Sequence, residues 1–238
     1  LGIQTPPFAE VNSLSELADA VNSIGLPAVL KTRTQGYDGK GQAVIKAETE
    51  LASAWASIGE VPAILEGFVA FDREISMIAV RNIAGEIRYY PVSENQHADG
   101  ILRVARAKPD DAITALAQNY TQKLLEHLNY VGVIAVEYFQ QGEQLLANEF
   151  APRVHNSGHW TIEGAECSQF ENHVRAVANL PLGDTSALGH AAMVNLIGDL
   201  PSQAEVMSIA GAHAHFYGKA PRPGRKVAHI GIRSTSPQ

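Results

Sequence analysis

Residues 131–151 constrain this chain most. VGVIAVEYF (Val131 to Phe139) and LLANEFA (Leu145 to Ala151) are apolar, strand-prone runs on either side of QQGEQ, the clearest hairpin in the sequence. A two-residue Gly142-Glu143 loop would set Glu137 opposite Asn148; an odd-length loop centred on Glu143, or a bulge, would set it opposite Glu149. Either way two carboxylates and an amide fall at neighbouring positions on adjacent strands. Like charges facing each other across a strand pair repel, so a cation belongs between them. Carboxylates holding a hard divalent ion that also grips phosphates is the arrangement expected for magnesium, with Glu137 and Glu149 as its ligands. The alternative is two glutamates on a solvent face, although both strands otherwise read as buried.

The hairpin leads directly into NEFAPRVHNSGHWT, Asn148 to Thr161. Seven residues of it present Arg153, His155, Asn156, Ser157 and His159 around Gly158. A core strand does not tolerate that density of donors and acceptors, because each buried one needs a partner. A polar surface loop has no need of it. The stretch reads as a pocket wall for a small, oxygen-rich anion.

Composition narrows the class. The chain has 238 residues, is 45% hydrophobic and 18% charged, and carries a net charge of −7, which fits one large or two modest globular domains. The acidic balance argues against a general nucleic-acid binder, and no apolar run approaches the roughly 20 residues of a membrane helix. A lone Cys167 excludes an intramolecular disulfide framework and a zinc-thiolate cluster and suits a reducing, cytoplasmic compartment. LGIQTPPF reads as entry into a domain already under way, so we expect an N-terminal part ahead of Leu1.

Taken in order, Ser13 and Glu16 have capping-box spacing ahead of a helix whose apolar face is Leu17, Ala18, Val21 and Ile24, stopped by Gly25 and Pro27. PAVLKT follows as a buried strand, in which Lys31 is costly unless its ammonium meets an anion; the alternative is an edge strand from which the lysine snorkels to solvent. TQGYDGKGQ places Gly36, Gly39 and Gly41 in a hairpin flap whose backbone N–H groups could approach phosphate oxygens, with Lys40 adding charge. It is neither a Walker loop nor a dinucleotide fingerprint, and alone it is equally a plain turn. Thr49 to Ile58 suits a short helix packing Leu51, Ala52 and Trp55. PAILEGFV is a strand carrying Glu66. EISMIAVRN and EIRYYPVSEN alternate as two strands joined near Ala84-Gly85, with Glu74 opening the first and His97 following the second. Ile101 to Ala107 adds another strand. Asp110 or Asp111 can cap a long helix facing inward with Ile113, Leu116, Ala117, Tyr120, Leu124 and Leu128. Phe170, Val174, Val177 and Ala178 mark a further helix that ends before Pro181. The last third is short strands and turns, closing on HFYGKAPRPGRKVAHIGI, whose Lys219, Arg222, Arg225 and Lys226 suggest a phosphate site or a solvated basic turn.

With the strand lysine, GYDGKGQ, the glutamate hairpin, NEFAPRVHNSGHWT and the YGK–RPGRK tail in that order, the chain resembles the ATP-grasp superfamily. Within it, the chain is similar to the N5-carboxyaminoimidazole ribonucleotide synthetase family, over essentially its whole length. That family carries a nucleotide-fold domain ahead of this region. The resemblance implies an α+β ATP-grasp fold, two α+β lobes with ATP between them, over 1–178. The small flap-bearing lobe would occupy about 27–69, and a small β-rich C-terminal domain would follow over 179–238. It implies that Lys31 and the flap residues Gly36, Tyr37, Asp38, Gly39, Lys40, Gly41 and Gln42 hold ATP phosphates. Glu66, Gly67, Phe68 and Val69 would line the adenine, Glu74 would meet the ribose, and His97 would lie near the nucleotide. Glu137 and Glu149, with Asn148 beside them, would hold magnesium. Arg153, His155, Asn156 and Ser157 would surround bicarbonate and the carboxyphosphate made from it. Tyr37, Asp38 and Arg153 would touch the aminoimidazole ribonucleotide, and Lys219, Arg225 and Lys226 would take its phosphate, with Arg222 an equal candidate by charge.

The implied activity is ATP- and magnesium-dependent carboxylation of that ribonucleotide in purine biosynthesis, by a homodimer, with no nucleic-acid or membrane partner. The rivals are another ATP-grasp ligase, such as a formate-using glycinamide ribonucleotide transformylase or a biotin carboxylase, and a non-catalytic nucleotide-binding module.

Overall fold

A computed structural model describes residues 1–34 and 41–236, which form two compact units. Gly36, Tyr37, Asp38, Gly39 and Lys40 of the expected flap lie outside the described residues.

The smaller unit comprises residues 4–71 with 99–101. It contains β1 (Phe8–Val11), α1 (Leu14–Ile24), β2 (Ala28–Thr32), β3 (Gln42–Ile45), α2 (Leu51–Ser57) and β4 (Ala63–Gly67). The strands form an antiparallel sheet in the order β1-β4-β2-β3. Ser13 caps α1 by accepting from the Glu16 N–H, and Gly25 ends it at φ 87°, a backbone conformation that favours glycine. Leu17, Ala20 and Val21 of α1, Ala54 and Trp55 of α2, and Leu30 and Leu65 of the sheet share one core. Two expected core residues are displaced: Ala18 is only half-buried while Ala20 is buried, and Ala52 is exposed while Ala54 is buried. Small alanines give periodicity little to distinguish them.

The larger unit comprises residues 1–3, 72–98 and 102 onward. Its elements are β5 (Arg73–Arg81), β6 (Ile87–Tyr89), β7 (Val92–Ala98), β8 (Ile101–Lys108), α3 (Thr114–His127), β9 (Gly132–Gln141), β10 (Gln144–Ala151), α4 (Thr161–Gly164), α5 (Gln169–Val177), β11 (His190–Ile197), α6 (Gln203–Met207), β12 (Ala212–Phe216) and β13 (Lys226–Ser234). Among the described residues nine strands make one sheet in the order β10-β9-β5-β7-β8-β11-β13-β12, with β6 beside β5. The last three strands thus continue the sheet through β11 on β8. EIRYYPVSEN forms two strands rather than one. Ala79 pairs with Tyr89 but Ser76 with Ser93, so one extra residue is inserted around Pro91, which has no N–H for the ladder.

Alternation along β5 and β9 feeds two cores. Ile75, Met77 and Ala79 of β5, with Ile134, Val136 and Tyr138 of β9, pack with Ala117, Tyr120 and Leu125 of α3. Ile78, Val80, Val133 and Ala135 point to the other face, where Tyr90, Trp160 and Ala176 cover them. The α3 face is corrected in two places. Leu128 is exposed, and the N-cap is Ile113 rather than an aspartate. Asp111 does accept from the Ile113 N–H, but its carboxylate is committed to both terminal nitrogens of Arg73 at 2.7 Å, which holds its pKa below the usual range. The expected helix forms as α5 and ends before Pro181, with a polar buried face. Phe170, Val174 and Val177 are exposed, and Gln169, Asn172 and Ala176 are buried. Among the described residues no helix is long and apolar enough to cross a membrane.

Candidate active site

One sheet face changes character along its length. The positions that carry Val80 and Ile78 on β5 continue as Ser76 and Glu74, and those carrying Val133 and Ala135 on β9 continue as Glu137. Ser93 and Asn95 of β7 stand opposite Ser76 and Glu74. A core thus ends in a polar patch by keeping the pleat and changing only the residue type. The Trp160 Nε1–H donates to Ser93 Oγ at 2.8 Å at that boundary.

The β9–β10 hairpin supplies the charge. Its register shifts at Asn148, and that bulge sets Glu149 directly opposite Glu137, the second of the two registers left open by the sequence. Burial, and then the Glu149 charge, push the Glu137 carboxyl up to about 7. Ser76 donates to Glu137 Oε1 at 3.4 Å and takes a hydrogen bond from Asn95 Nδ2 at 2.6 Å. His97 forms an ion pair with Glu74, and the Glu74, Glu137 and Glu149 charges raise its pKa against the effect of burial. Two opposed carboxylates, one of them protonated more readily than it should be, are a donor set suited to a hard divalent cation. Among the described residues no three Asp, Glu, His or Cys side chains converge as a self-sufficient metal site; magnesium commonly uses one or two carboxylates and completes its shell with water and substrate phosphates.

The Arg153–Ser157 segment follows. The Pro152 carbonyl accepts from Tyr130 Oη at 2.7 Å, and Arg153 Nη1 donates to the Val154 carbonyl at 3.0 Å. Gln169, fully buried, clamps the backbone of His155: its Oε1 accepts from the His155 N–H at 3.0 Å and its Nε2 donates to the His155 carbonyl at 2.7 Å. Gly158 permits the close approach, since a Cβ there would sit 2.3 Å from Ile78 Cδ1 and 2.7 Å from Gln169 Oε1. The Ser157 N–H donates to His155 Nδ1 at 3.4 Å, so the imidazole proton sits on Nε2. Burial, with Arg153 and Lys226 nearby, lowers the His155 pKa to about 4. Its 3.9 Å approach to Glu137 is therefore between a neutral ring and a carboxyl group, not an ion pair. Asn156 is bonded to Asn195 of β11 and to His159. Burial and Lys226 lower His159 to about 4 as well.

The tail is less gathered. Lys226 opens β13 and acts electrostatically on both His155 and His159, whereas Lys219 lies 5.1 Å over the Tyr217 ring and Arg225 donates to the Ala220 carbonyl. Arg222 and Arg103 line a separate open cavity of about 440 Å³.

In the smaller unit, Lys31 meets the anion its burial demands. Its Nζ lies 2.6 Å from Glu66, across neighbouring strands β2 and β4. Gln42 opens β3 opposite this lysine, and the Gly41 carbonyl before it accepts from the Thr32 N–H at 2.8 Å. Gly67 donates to the Pro7 carbonyl, Phe68 donates to the Pro27 carbonyl while its ring is exposed, and Val69 is half-buried. Ser76, Asn95, Gln169 and Asn195 were not found from sequence. Ser76 and Asn195 do leave a trace, as single polar residues inside apolar strand runs.

Known proteins agree with this architecture. A family model of the ATP-grasp domain matches residues 1–170, and one of the phosphoribosylaminoimidazole carboxylase C-terminal domain matches 191–238. The chain is 55% identical to the N5-carboxyaminoimidazole ribonucleotide synthase of Pseudomonas aeruginosa, over 98% of this chain and 65% of that protein. It is 44% identical to the Bacillus subtilis protein of the same name, over 96% and 62%. It therefore spans less than two thirds of the length of these relatives. The crystal structure of N5-carboxyaminoimidazole ribonucleotide synthetase from Thermus thermophilus superposes with a TM-score of 0.91 at 53% identity, covering 99% of this chain and 64% of that one. The Aspergillus clavatus synthase, solved in complex with ADP and 5-aminoimidazole ribonucleotide, does so with a TM-score of 0.89 at 31% identity, covering 99% and 65%. With a domain model matched over most of its length and a shared architecture, this chain belongs to the ATP-grasp family.

Proposed function

We propose that this chain carries the ATP-grasp and C-terminal parts of a ligase that carboxylates 5-aminoimidazole ribonucleotide with bicarbonate, consuming ATP. The observation that carries the reading is the bulge at Asn148, which opposes Glu149 to Glu137 immediately before Arg153, His155 and Ser157. The named relatives and the ligands of the Aspergillus clavatus complex support it.

In this reading Lys31, with the flap through Gln42, holds ATP phosphates, Glu66 to Val69 line the adenine, and Glu74 and His97 face the ribose side. Glu137 and Glu149 hold magnesium, with Asn148 beside them. Magnesium, when bound, neutralises phosphoryl charge and fixes the phosphate geometry. Arg153 and the His155 Nε2–H orient bicarbonate, a poor electrophile, so that its oxygen attacks the γ-phosphorus as the bond to the departing ADP oxygen breaks. The exocyclic amine of the ribonucleotide then attacks the carboxyl carbon of carboxyphosphate, or of carbon dioxide released from it. Phosphate leaves and the amine gives up a proton. Arg153 stabilises the carboxylate as it forms, while Ser157, whose Oγ donates to His155 Nδ1 at 2.8 Å, holds that ring in place beside it. Tyr37 and Asp38 contact the aminoimidazole, and Lys219, Arg225 and Lys226 take its phosphate. Residues 1–178 are the ATP-grasp part and 179–238 the C-terminal part of a cytoplasmic homodimer.

ADP release with ribonucleotide, comparing bicarbonate with formate, tests the assignment. Bicarbonate-dependent release supports it. Release with formate alone would move the chain to another ligase, and no turnover with retained ATP binding would make it a binding module.

A further inference from the structure

Asn195 is a polar residue in AAMVNLI, the otherwise apolar run of β11, and it is 5% exposed. A buried amide is costly unless each donor and acceptor is met. The Asn195 Nδ2 donates to the Leu102 carbonyl at 2.9 Å and to Asn156 Oδ1 at 2.5 Å, and Asn195 Oδ1 accepts from Asn156 Nδ2 at 3.1 Å. An isolated amide can be turned end for end, but a carbonyl only accepts. Leu102 therefore fixes which end of Asn195 is nitrogen, and Asn195 in turn fixes Asn156.

Asn156 Nδ2 has a second acceptor, His159 Nδ1, at 3.2 Å. An amide nitrogen only donates, so His159 carries its ring proton on Nε2, as its depressed pKa allows. Both amide hydrogens of Asn156 thus have acceptors within the protein. What it offers a ligand is the second lone pair of Oδ1.

We propose that Asn195 is a positioning residue, fixing the Asn156 amide so that it presents an acceptor rather than a donor to the substrates. This rests on the carboxylation reading, and it divides the labour of the loop. Arg153 and the His155 Nε2–H take anionic oxygen, while Asn156 takes a substrate N–H or O–H. The candidates are the bicarbonate hydroxyl and the exocyclic amine of the ribonucleotide.

The test uses the intact protein with Asn195→Asp, which keeps the shape but cannot donate, and the milder Asn195→Ser, alone and combined with Asn156→Ala. Loss of about one hydrogen bond predicts a fall of about ten-fold in kcat/KM for one substrate with Asn195→Asp. Bicarbonate as that substrate identifies the hydroxyl, and the ribonucleotide identifies the amine. The KM for ATP should stay within about two-fold, a split that general destabilisation would not produce. In the Asn156→Ala background Asn195→Ser should cost nothing further, because its effect runs through Asn156. Unchanged kinetics for both substrates, or a fully additive double variant, would overturn the positioning role. A wild-type protein without bicarbonate-dependent turnover would overturn the carboxylation reading and this inference with it.

Discussion

The β9–β10 hairpin and the loop that follows it solve opposite problems with opposite means. The hairpin brings like charges together, and strand register enforces their proximity: Glu137 and Glu149 face each other although burial and mutual repulsion push Glu137 up to about 7. The loop brings donors and neutral rings together, and buried amides hold it, with Gln169 on the His155 backbone and Asn195 on the Asn156 side chain. The first region stores unfavourable electrostatics that a cation between the two carboxylates would relieve. In the second, backbone and side-chain polar groups are met by amides within the protein. Charge can be placed by strand pairing because the flanking apolar residues fix the register; donors on a loop need their own scaffold.

Breaking the hairpin pair should have the largest effect. Glu149→Gln should reduce ATP cleavage on the order of 10³-fold, the worth of several kcal/mol of metal-assisted charge stabilisation, with the fold retained by circular dichroism. Full activity in that variant would remove the metal assignment. Arg153→Ala should leave ATP affinity in place, measured by calorimetry, and lower ribonucleotide-dependent turnover on the order of 10²-fold.

The loop scaffold sharpens the contrast through stability. Gln169→Leu leaves the His155 N–H and carbonyl unpartnered and should cost about 2–3 kcal/mol in urea unfolding. A cost near zero would mean that the clamp is incidental. The neutral imidazoles give the loop side a pH signature. His159 and His229 are held near 4 and near 3, first by burial and then by neighbouring positive or imidazole groups. His229 stacks 4.3 Å from His215, lies 4.6 Å from His159, and has Tyr217 Oη 2.7 Å from its Nδ1. Their folded pKa values lie below the unfolded one, so their contribution is present above pH 6.5 and is lost as pH falls through the folded values. Each should add up to about 1.4 kcal/mol per pH unit to the loss. His229→Phe should flatten that slope by one proton. At the small end, Val174→Ser on the exposed face of α5 should change stability by less than about 0.5 kcal/mol, whereas a core valine would cost far more.

That last prediction concerns a face that local sequence does not assign, and the reason separates what was legible from what was not. The hairpin, the strand lysine and its need for an anion, the α1 cap and the polar loop could be read because each follows from local spacing and residue type. The bulge at Asn148 was one of two registers, and only the pairing decided between them. Phe170, Val174 and Val177 mark α5 in the sequence without saying which face it buries; Gln169 and Asn172 face inward because their amides satisfy backbone groups outside the helix, Gln169 at His155 and Asn172 at Gly183. Asn195 was hidden for the same reason, since its partners Leu102 and Asn156 lie 93 and 39 residues away. Local sequence reports periodicity; it does not report which remote carbonyl needs a donor.

The most direct test of the central claim follows the oxygen. With bicarbonate labelled by ¹⁸O, attack of a bicarbonate oxygen on the γ-phosphorus of ATP leaves that oxygen on phosphorus when the carboxyl group is transferred. The account predicts ¹⁸O in the inorganic phosphate released during ribonucleotide-dependent turnover, measured by mass spectrometry. Unlabelled phosphate under the same conditions, formed by attack of water, would contradict it.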